Sequence, residues 1–317
     1  MNRPLIASML LLLSNASQSH GLDHDLVVYA QGKFQLRIVG STSFTTVPCA
    51  FRVGSFSISS NGRYIVFASV EGQAGAGQLY LVDLKTGNAD RLIAKPFYFK
   101  DRNQREEYTD PEFSPDGRRV AFAVHSVQGN DADDMVGLAG PLAMLDLASR
   151  EVHVVPSTEN IAAQGPAYVN NPSWSPDGTQ ILISFETGGA ILNLKTGALQ
   201  LLDHAMSRNS STPNTDTHSP LSWWSDKRIL FVQNPAQVSG IGDLFVLDTR
   251  IEAITSGSDL LGLPVGKLHD VAGVDISQRF FLIRYESTAE VFDRSGRSVE
   301  HFNTNHVRLR VVQSTRR

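Results

Sequence analysis

The sequence predicts an all-β protein: a six-bladed β-propeller of four-stranded antiparallel blades. The ring is expected to close by pairing of a C-terminal strand at 306–313 with N-terminal strands at 26–48. Three observations carry this prediction. A two-part block recurs five times along the 317 residues. The joints of that block hold residues that make tight hairpins. An incomplete unit stands at each end of the chain.

The first segment reads as an address. Arg3 and the amino terminus are positive, Leu5 to Leu13 is apolar, and small residues follow at Ser14, Ala16, Ser17 and Ser19. This is the outline of a cleaved secretory signal peptide, taken as residues 1–19. Such a run is too short to span a bilayer, which takes about 20 residues. A buried N-terminal strand or helix is the competing reading. Export with a single cysteine, Cys49, fits a periplasm better than a disulfide-rich exterior. A periplasmic or secreted protein with no membrane span is therefore expected.

Composition narrows the function classes. Lys plus Arg is 28 and Asp plus Glu is 32, a net charge of −4. That balance lacks the basic surface of ordinary nucleic-acid binding, so no nucleic-acid partner is expected. There are 25 Gly and 14 Pro, a breaker about every eight residues, which is turn density for many short strands.

The remaining chain, 22–317, reads as one propeller domain. Residues 26–48 (DLVVYA, KFQLRIV, SFTTVP) look like a unit missing its first strand, and HVRLRVVQ at 306–313 looks like that strand. The complete units follow at about 51–96, 108–157, 168–204, 218–256 and 269–303. Their first block reads SISSNGRYIVF at 57–67, EFSPDGRRVAF at 112–122 and SWSPDGTQILI at 173–183, then degrades at 222–231 and 274–283. Their second block is clearest as LYLVDLKTGNADRL at 79–92. Markers Asp83, Asp146, Asn193, Asp248 and Asp293 lie 63, 47, 55 and 45 residues apart. In SPDG, Pro115 presets the backbone, Asp116 caps the turn and Gly117 accepts a positive φ. Val120, Phe122 and Val124 alternate onto one buried face. A four-stranded meander cannot bury both faces alone, and radial packing of neighbours does so.

The phrases FSPDGRRVAFA and LYLVDLKTG resemble the repeat of the TolB-type β-propellers, a six-bladed, WD-like architecture. The resemblance covers the propeller portion and is strongest between residues 51 and 203. It implies a cell-envelope protein that binds another protein or peptide. That family also carries an α/β domain ahead of the propeller. Few residues here separate the signal from the first strand, so that domain is not expected.

Motif searches point away from familiar catalysis. The chain has no G-x-S-x-G, no phosphate loop and no H-E-x-x-H. NDADD at 130–134 lacks the Gly turn and distal Glu of a calcium loop, and a solvated tip suits it better. Phe113, Trp174 and Trp224 recur before the turn, as inter-blade core rather than ligand stacking. Trp223 reads as extra and exposed.

The candidate site is the mouth of the central channel, where the loops entering the first strands meet. Tyr108, Asp110, Asn170, Asn171, His218, His269, Asp270 and His306 fall there, with His125 ending a second strand on the same face. The long polar segments 97–108, 126–140, 157–170 and 204–219 are expected as loops over it. No cofactor is expected. The alternative is a divalent metal held by His218, His269 and His306; such a channel resembles that of propeller-built polysaccharide lyases that keep a His-held metal, and the resemblance implies a lyase or hydrolase on a polysaccharide. The first reading is a monomeric, non-enzymatic binding module with an envelope protein or peptide as partner.

Overall fold

The computed structural model describes residues 25–70, 77–99, 104–128, 136–163, 169–185, 188–202, 221–225, 227–233, 243–250, 253–256, 271–276, 280–285, 288–293, 295–304 and 306–309. Turn chemistry sets its blades. In the SPDG copy at 114–117, Ser114 Oγ donates to Asp116 Oδ1 at 2.6 Å, and Arg118 N donates to the same oxygen at 3.1 Å. Gly117 sits at φ 70°. Ser175, Asp177 and Gly178 repeat this arrangement, and so do Ser59, Asn61 and Gly62. The second hairpin has its own cap: Asp83, Asp146, Asn193, Asp248 and Asp293 each accept a hydrogen bond from the amide two residues on. The recurrence of these markers thus has a backbone cause.

Six four-stranded antiparallel sheets result. The first blade holds β1 (Leu26–Ala30), β2 (Lys33–Arg37) and β3 (Phe44–Pro48). The second holds β4 (Val53–Ile58), β5 (Tyr64–Ser69), β6 (Leu79–Asp83) and β7 (Ala89–Arg91). The third holds β8 (Gln104–Phe113), β9 (Arg119–Gln128), β10 (Val136–Asp146) and β11 (Val152–Val154). The fourth holds β12 (Asn170–Trp174), β13 (Gln180–Phe185), β14 (Gly188–Asn193) and β15 (Leu199–Leu201). The fifth holds β16 (Ser222–Ser225), β17 (Arg228–Gln233), β18 (Asp243–Asp248) and β19 (Ala253–Ser256). The sixth holds β20 (Val271–Ile276), β21 (Phe280–Tyr285), β22 (Ala289–Asp293) and β23 (Ser298–Phe302). The last strand, β24 (Val307–Leu309), returns to the first blade as its inner strand.

This closure is the expected one, over a shorter described span. Leu26 pairs with Leu309, Val27 with Arg308 and Val28 with Val307. Tyr29 N donates to His306 O at 2.8 Å. Arg37 adds a 2.8 Å ion pair to Glu300 on the sixth blade. Neighbouring inner strands β24, β4, β8, β12, β16 and β20 contact one another around a closed ring. Among the described residues no helix is long and apolar enough to cross a membrane.

The core lies between blades, as period-2 alternation requires. Val120, Phe122 and Val124 pack towards Val66, Leu79 and Leu81 of the second blade. The intervening Ala121 faces Trp174, Ile181 and Ile183 of the fourth. Phe34 and Leu36 meet Phe56 and Phe67 between the first two blades. Leu26, Val28 and Val307 meet Leu282 and Val291 across the closure.

Four expectations are corrected. Residues 97–108 are not one loop over the mouth: 104–113 form β8, an extension of the third blade. Residues 126–128 and 136–140 likewise continue strands β9 and β10. Residues 156–163 form a helix, α1 (Pro156–Ala163), packed against β10 through Thr158 Oγ1, which accepts from Leu142 N at 3.0 Å. The fourth change concerns tryptophan. Trp223, not Trp224, is the counterpart of Trp174: each indole donates to a carbonyl of the preceding inner strand, Trp223 to Ser173 O and Trp174 to Glu112 O, both at 3.1 Å. Trp223 is only 7% exposed. The hairpin after it is one residue shorter, because Trp223 pairs with Ile229 where Trp174 pairs with Ile181.

Candidate functional site at the channel mouth

Inner strands enter at the end opposite the SPDG turns, and four of them are irregular there. Register shifts lie at Val53/Ser55, Thr109/Glu112, Asn170/Ser173 and Val271/Gly273. A bulge bends its strand and re-aims side chains. At two of these places a non-glycine residue has left-handed backbone: Asp110 at φ 49° and Asn171 at φ 47°. Asp and Asn are the residues that tolerate this best. Each precedes a proline and stands four residues before the turn serine, Ser114 or Ser175.

These bulges assemble a polar layer shared by three blades. Asp110 N donates to Ser55 Oγ on β4 at 3.0 Å. Asn171 N donates to Asp110 Oδ2 at 3.4 Å across to the fourth blade. Thr109 Oγ1 lies 3.0 Å from His125 Nε2, and Asn170 hydrogen-bonds the same imidazole. Burial lowers the affinity of His125 for a proton, against the opposing pull of the Asp110 carboxylate and of Asn170. His125 is 8% exposed, whereas Thr109, Asp110, Asn170 and Asn171 are partly open to solvent. Glu107 pairs directly across the ladder from His125. Burial pushes its carboxyl up to about 7.

The layer continues around the ring. On the other side of β4, the His306 imidazole hydrogen-bonds the backbone of Gly54, beside Ser55. Burial lowers its proton affinity, and the guanidinium of Arg284 adds to that. The ring of Tyr29 stands edge-on to it at 6.0 Å.

Of the predicted site residues, the structure brings Asp110, Asn170 and Asn171 together with His125, and sets His306 beyond Gly54. Tyr108 goes elsewhere. It is 1% exposed, stacks on Phe97 at 5.8 Å, and donates its hydroxyl to Glu106 Oε2 at 2.8 Å. Strand alternation explains this: Tyr108 and Glu106 share the face turned to the second blade, while Thr109 and Glu107 share the other. Buried Glu106 also accepts from the amides of Phe97, Tyr98 and Phe99, and so fastens 97–99 to the blade. His218, His269 and Asp270 lie outside the described residues. Sequence reasoning missed Thr109, Ser55 and Glu107. The Asx-Pro pair before the turn was a usable signal for the bulge, but Glu107 was hidden in a charged run.

Among the described residues no group of three or more His, Cys, Asp or Glu is placed to hold a metal ion. The set is instead rich in hydrogen-bond acceptors and amides on rigid strands, suited to fixing a polar group that enters the channel.

No family model matches the chain, and no curated protein matches it in sequence. Solved structures do resemble it. TolB from Acinetobacter baumannii matches at a TM-score of 0.57 and 15% identity, over 90% of this chain and 66% of that one. A chain of the nidogen/laminin complex matches at 0.60 and 9% identity, over 92% and 99%. An oligogalacturonate lyase in complex with manganese matches at 0.53 and 11% identity, over 86% and 70%. Identities this low speak for the shared propeller fold.

Proposed function

We propose that this chain is an exported, TolB-like propeller that acts without catalysis, as a monomeric binding module of the cell envelope. Its partner is a protein or peptide that docks at the channel mouth. The observation that supports this reading is the polar layer of Asp110, Thr109, His125, Asn170 and Asn171, fixed by hydrogen bonds between three blades and partly open to solvent. Rigid strands that carry exposed polar groups at a concave centre make a recognition surface. The opposite face is built of turns whose side chains are committed to backbone geometry. Export rests on the leader-like pattern of residues 1–19 and points to the periplasm.

The test is capture of envelope proteins on the immobilised mature chain. Asn170→Ala and Asn171→Ala together should release the partner, and Arg118→Ala on the turn face should not. Retention by both variants would end the mouth reading. Mature protein found in the cytoplasm and still beginning at Met1 would end the export reading.

A second reading remains for the same mouth: a metal-assisted lyase or hydrolase on a polysaccharide, favoured by the imidazoles of His125 and His306 there and by the likeness to a manganese-bound lyase. Stoichiometric bound metal that is lost in His306→Ala would move the reading to this one.

A further inference from the structure

The tight turn in the first hairpin of the second blade differs from its repeats in one residue type. The third and fourth blades set Asp before the left-handed glycine, as Asp116-Gly117 and Asp177-Gly178, whereas the second sets Asn61 before Gly62. This is the only Asn-Gly step in the 317 residues. Asn before Gly is the step at which a peptide chain deamidates most readily, because glycine has no side chain to hinder its own amide nitrogen. The Gly62 nitrogen bonds to Asn61 Cγ, the Cγ–Nδ2 bond breaks, and ammonia leaves with the proton that the Gly62 amide gave up. Water then opens the resulting cyclic imide at either carbonyl, giving aspartate or isoaspartate. The fold ties each reacting group to another partner. Gly62 is buried, and its N–H donates to Ser59 O at 2.8 Å. Asn61 is exposed, yet its Oδ1 accepts from Ser59 Oγ at 2.8 Å and from Arg63 N at 2.9 Å. Ser59 is only 3% exposed, and its Oγ accepts from Tyr64 N at 2.9 Å. The two donors on Oδ1 polarise the side-chain amide, but the nitrogen that must attack it has first to give up a proton bound within the turn.

We infer that Asn61 is a deamidation site gated by the fold, silent while this hairpin is closed and reactive once it opens. The inference stands apart from the mouth reading, since the turn lies at the opposite end of the blade. The repeat also separates the two products. Aspartate is tolerated, because Asp116 and Asp177 already fill this place and accept the same pair of bonds, from Ser114 Oγ and Arg118 N and from Ser175 Oγ and Thr179 N. Isoaspartate is not, because it adds a methylene to the main chain inside a turn closed by Gly62 N on Ser59 O and Ser59 N on Tyr64 O. That hairpin carries β4, whose Ser55 and Ser57 hydroxyls accept from the Asp110 and Phe113 amides of the third blade. A chain that has opened and converted to isoaspartate therefore loses the turn that seats the third blade on the second, whereas the aspartate product closes again.

The test is incubation of the mature chain in mildly alkaline buffer, folded and in guanidinium chloride, with conversion at Asn61 followed by peptide mass spectrometry. The folded chain should convert at least about tenfold more slowly, the retardation given by a local opening free energy of about 1.4 kcal/mol. Gly62→Ala should convert more slowly than the parent in denaturant, because its methyl group hinders the attacking nitrogen. Ser59→Ala releases Asn61 Oδ1 and should speed conversion in the folded chain while leaving the denatured rate unchanged. Asn61→Asp should keep the parent's denaturation midpoint. Equal rates in the folded and denatured parent, or no conversion at Asn61 in denaturant, overturn the inference. So does a folded Ser59→Ala chain that converts no faster than the parent, or a Gly62→Ala chain that converts as fast in denaturant. If Ser59→Ala does not fold, the comparison of folded with denatured parent decides alone. A lowered midpoint in Asn61→Asp overturns the separation of the two products.

Discussion

Glu107 is half-buried on the third blade, and its carboxyl has been pushed from an ordinary 4.5 up to about 7 by burial. A raised carboxyl means that the folded chain holds this proton more tightly than the unfolded chain. The resulting stability is complete below about 4.5 and is lost as pH rises through about 7. After allowance for solvent screening, the effect is about 1–2 kcal/mol. Glu107→Gln should therefore equal the parent near pH 4.5 and exceed it at pH 8 by about 1 kcal/mol. Denaturant midpoints across that range decide it. A difference that does not widen with pH would remove Glu107 from the account. Trp223 gives a second test at this scale. Its indole nitrogen bonds Ser173 O between blades. Trp223→Phe keeps an aromatic ring but removes the indole donor from the part-buried Ser173 carbonyl, at a cost of about 1–3 kcal/mol. No measurable loss on chemical denaturation would mean that the indole bond is incidental.

At the scale of elements, the hairpin turns carry the repeat. Gly117 sits at φ 70°, with no atom within 4 Å of where a Cβ would stand. Gly117→Ala is thus free of clashes, and its expected cost of about 1–2 kcal/mol is purely conformational. Gly117→Asn should cost less. Equal losses for both would point to packing rather than backbone. Because these turns depend on residue type at fixed offsets, blades two to four were legible from the sequence. Where the turn chemistry decays, legibility decays with it. WSDK is one residue shorter than WSPDG, so the sequence pattern sets Trp224 against Trp174, while the ladder sets Trp223 there. The third blade hid its length for another reason. Residues 104–107 are charged and read as loop, yet Glu106 is buried because its oxygens accept from three amides and the Tyr108 hydroxyl. Such compensation is made by tertiary partners and leaves no local pattern. The same holds for the mouth: Asp110 and Asn171 stood out next to proline, whereas Thr109 meets His125 only through the pairing of β8 with β9.

At the scale of the molecule, everything depends on a ring that is closed by three described residues. Each blade buries its two faces against its neighbours, so no blade is complete alone, and an opened ring exposes two inner surfaces at once. The closing strand β24 contributes Val307 and Leu309, both buried among Leu26, Val28, Leu282 and Val291. Burial of two such side chains contributes about 3–6 kcal/mol, against a total stability of about 5–15 kcal/mol for a domain. Removal of 306–317 also leaves β1 as an unpaired inner edge, a template for association with other chains. The truncated chain is therefore expected to lose most of its stability and to aggregate at micromolar concentration. Leu309→Ala is the milder version and should cost about 2–5 kcal/mol. Leu201→Ala, on the outer rim and 57% exposed, is the control and should cost little. Closure also couples stability to recognition: His306 immediately precedes β24 and its imidazole bonds Gly54, next to the Ser55 that holds Asp110. Loosening the clasp with Leu309→Ala should thus weaken binding at the mouth, even though Leu309 lies in the core. A variant that unfolds earlier yet binds as tightly as the parent at low temperature would show that the mouth is held by blades two to four alone.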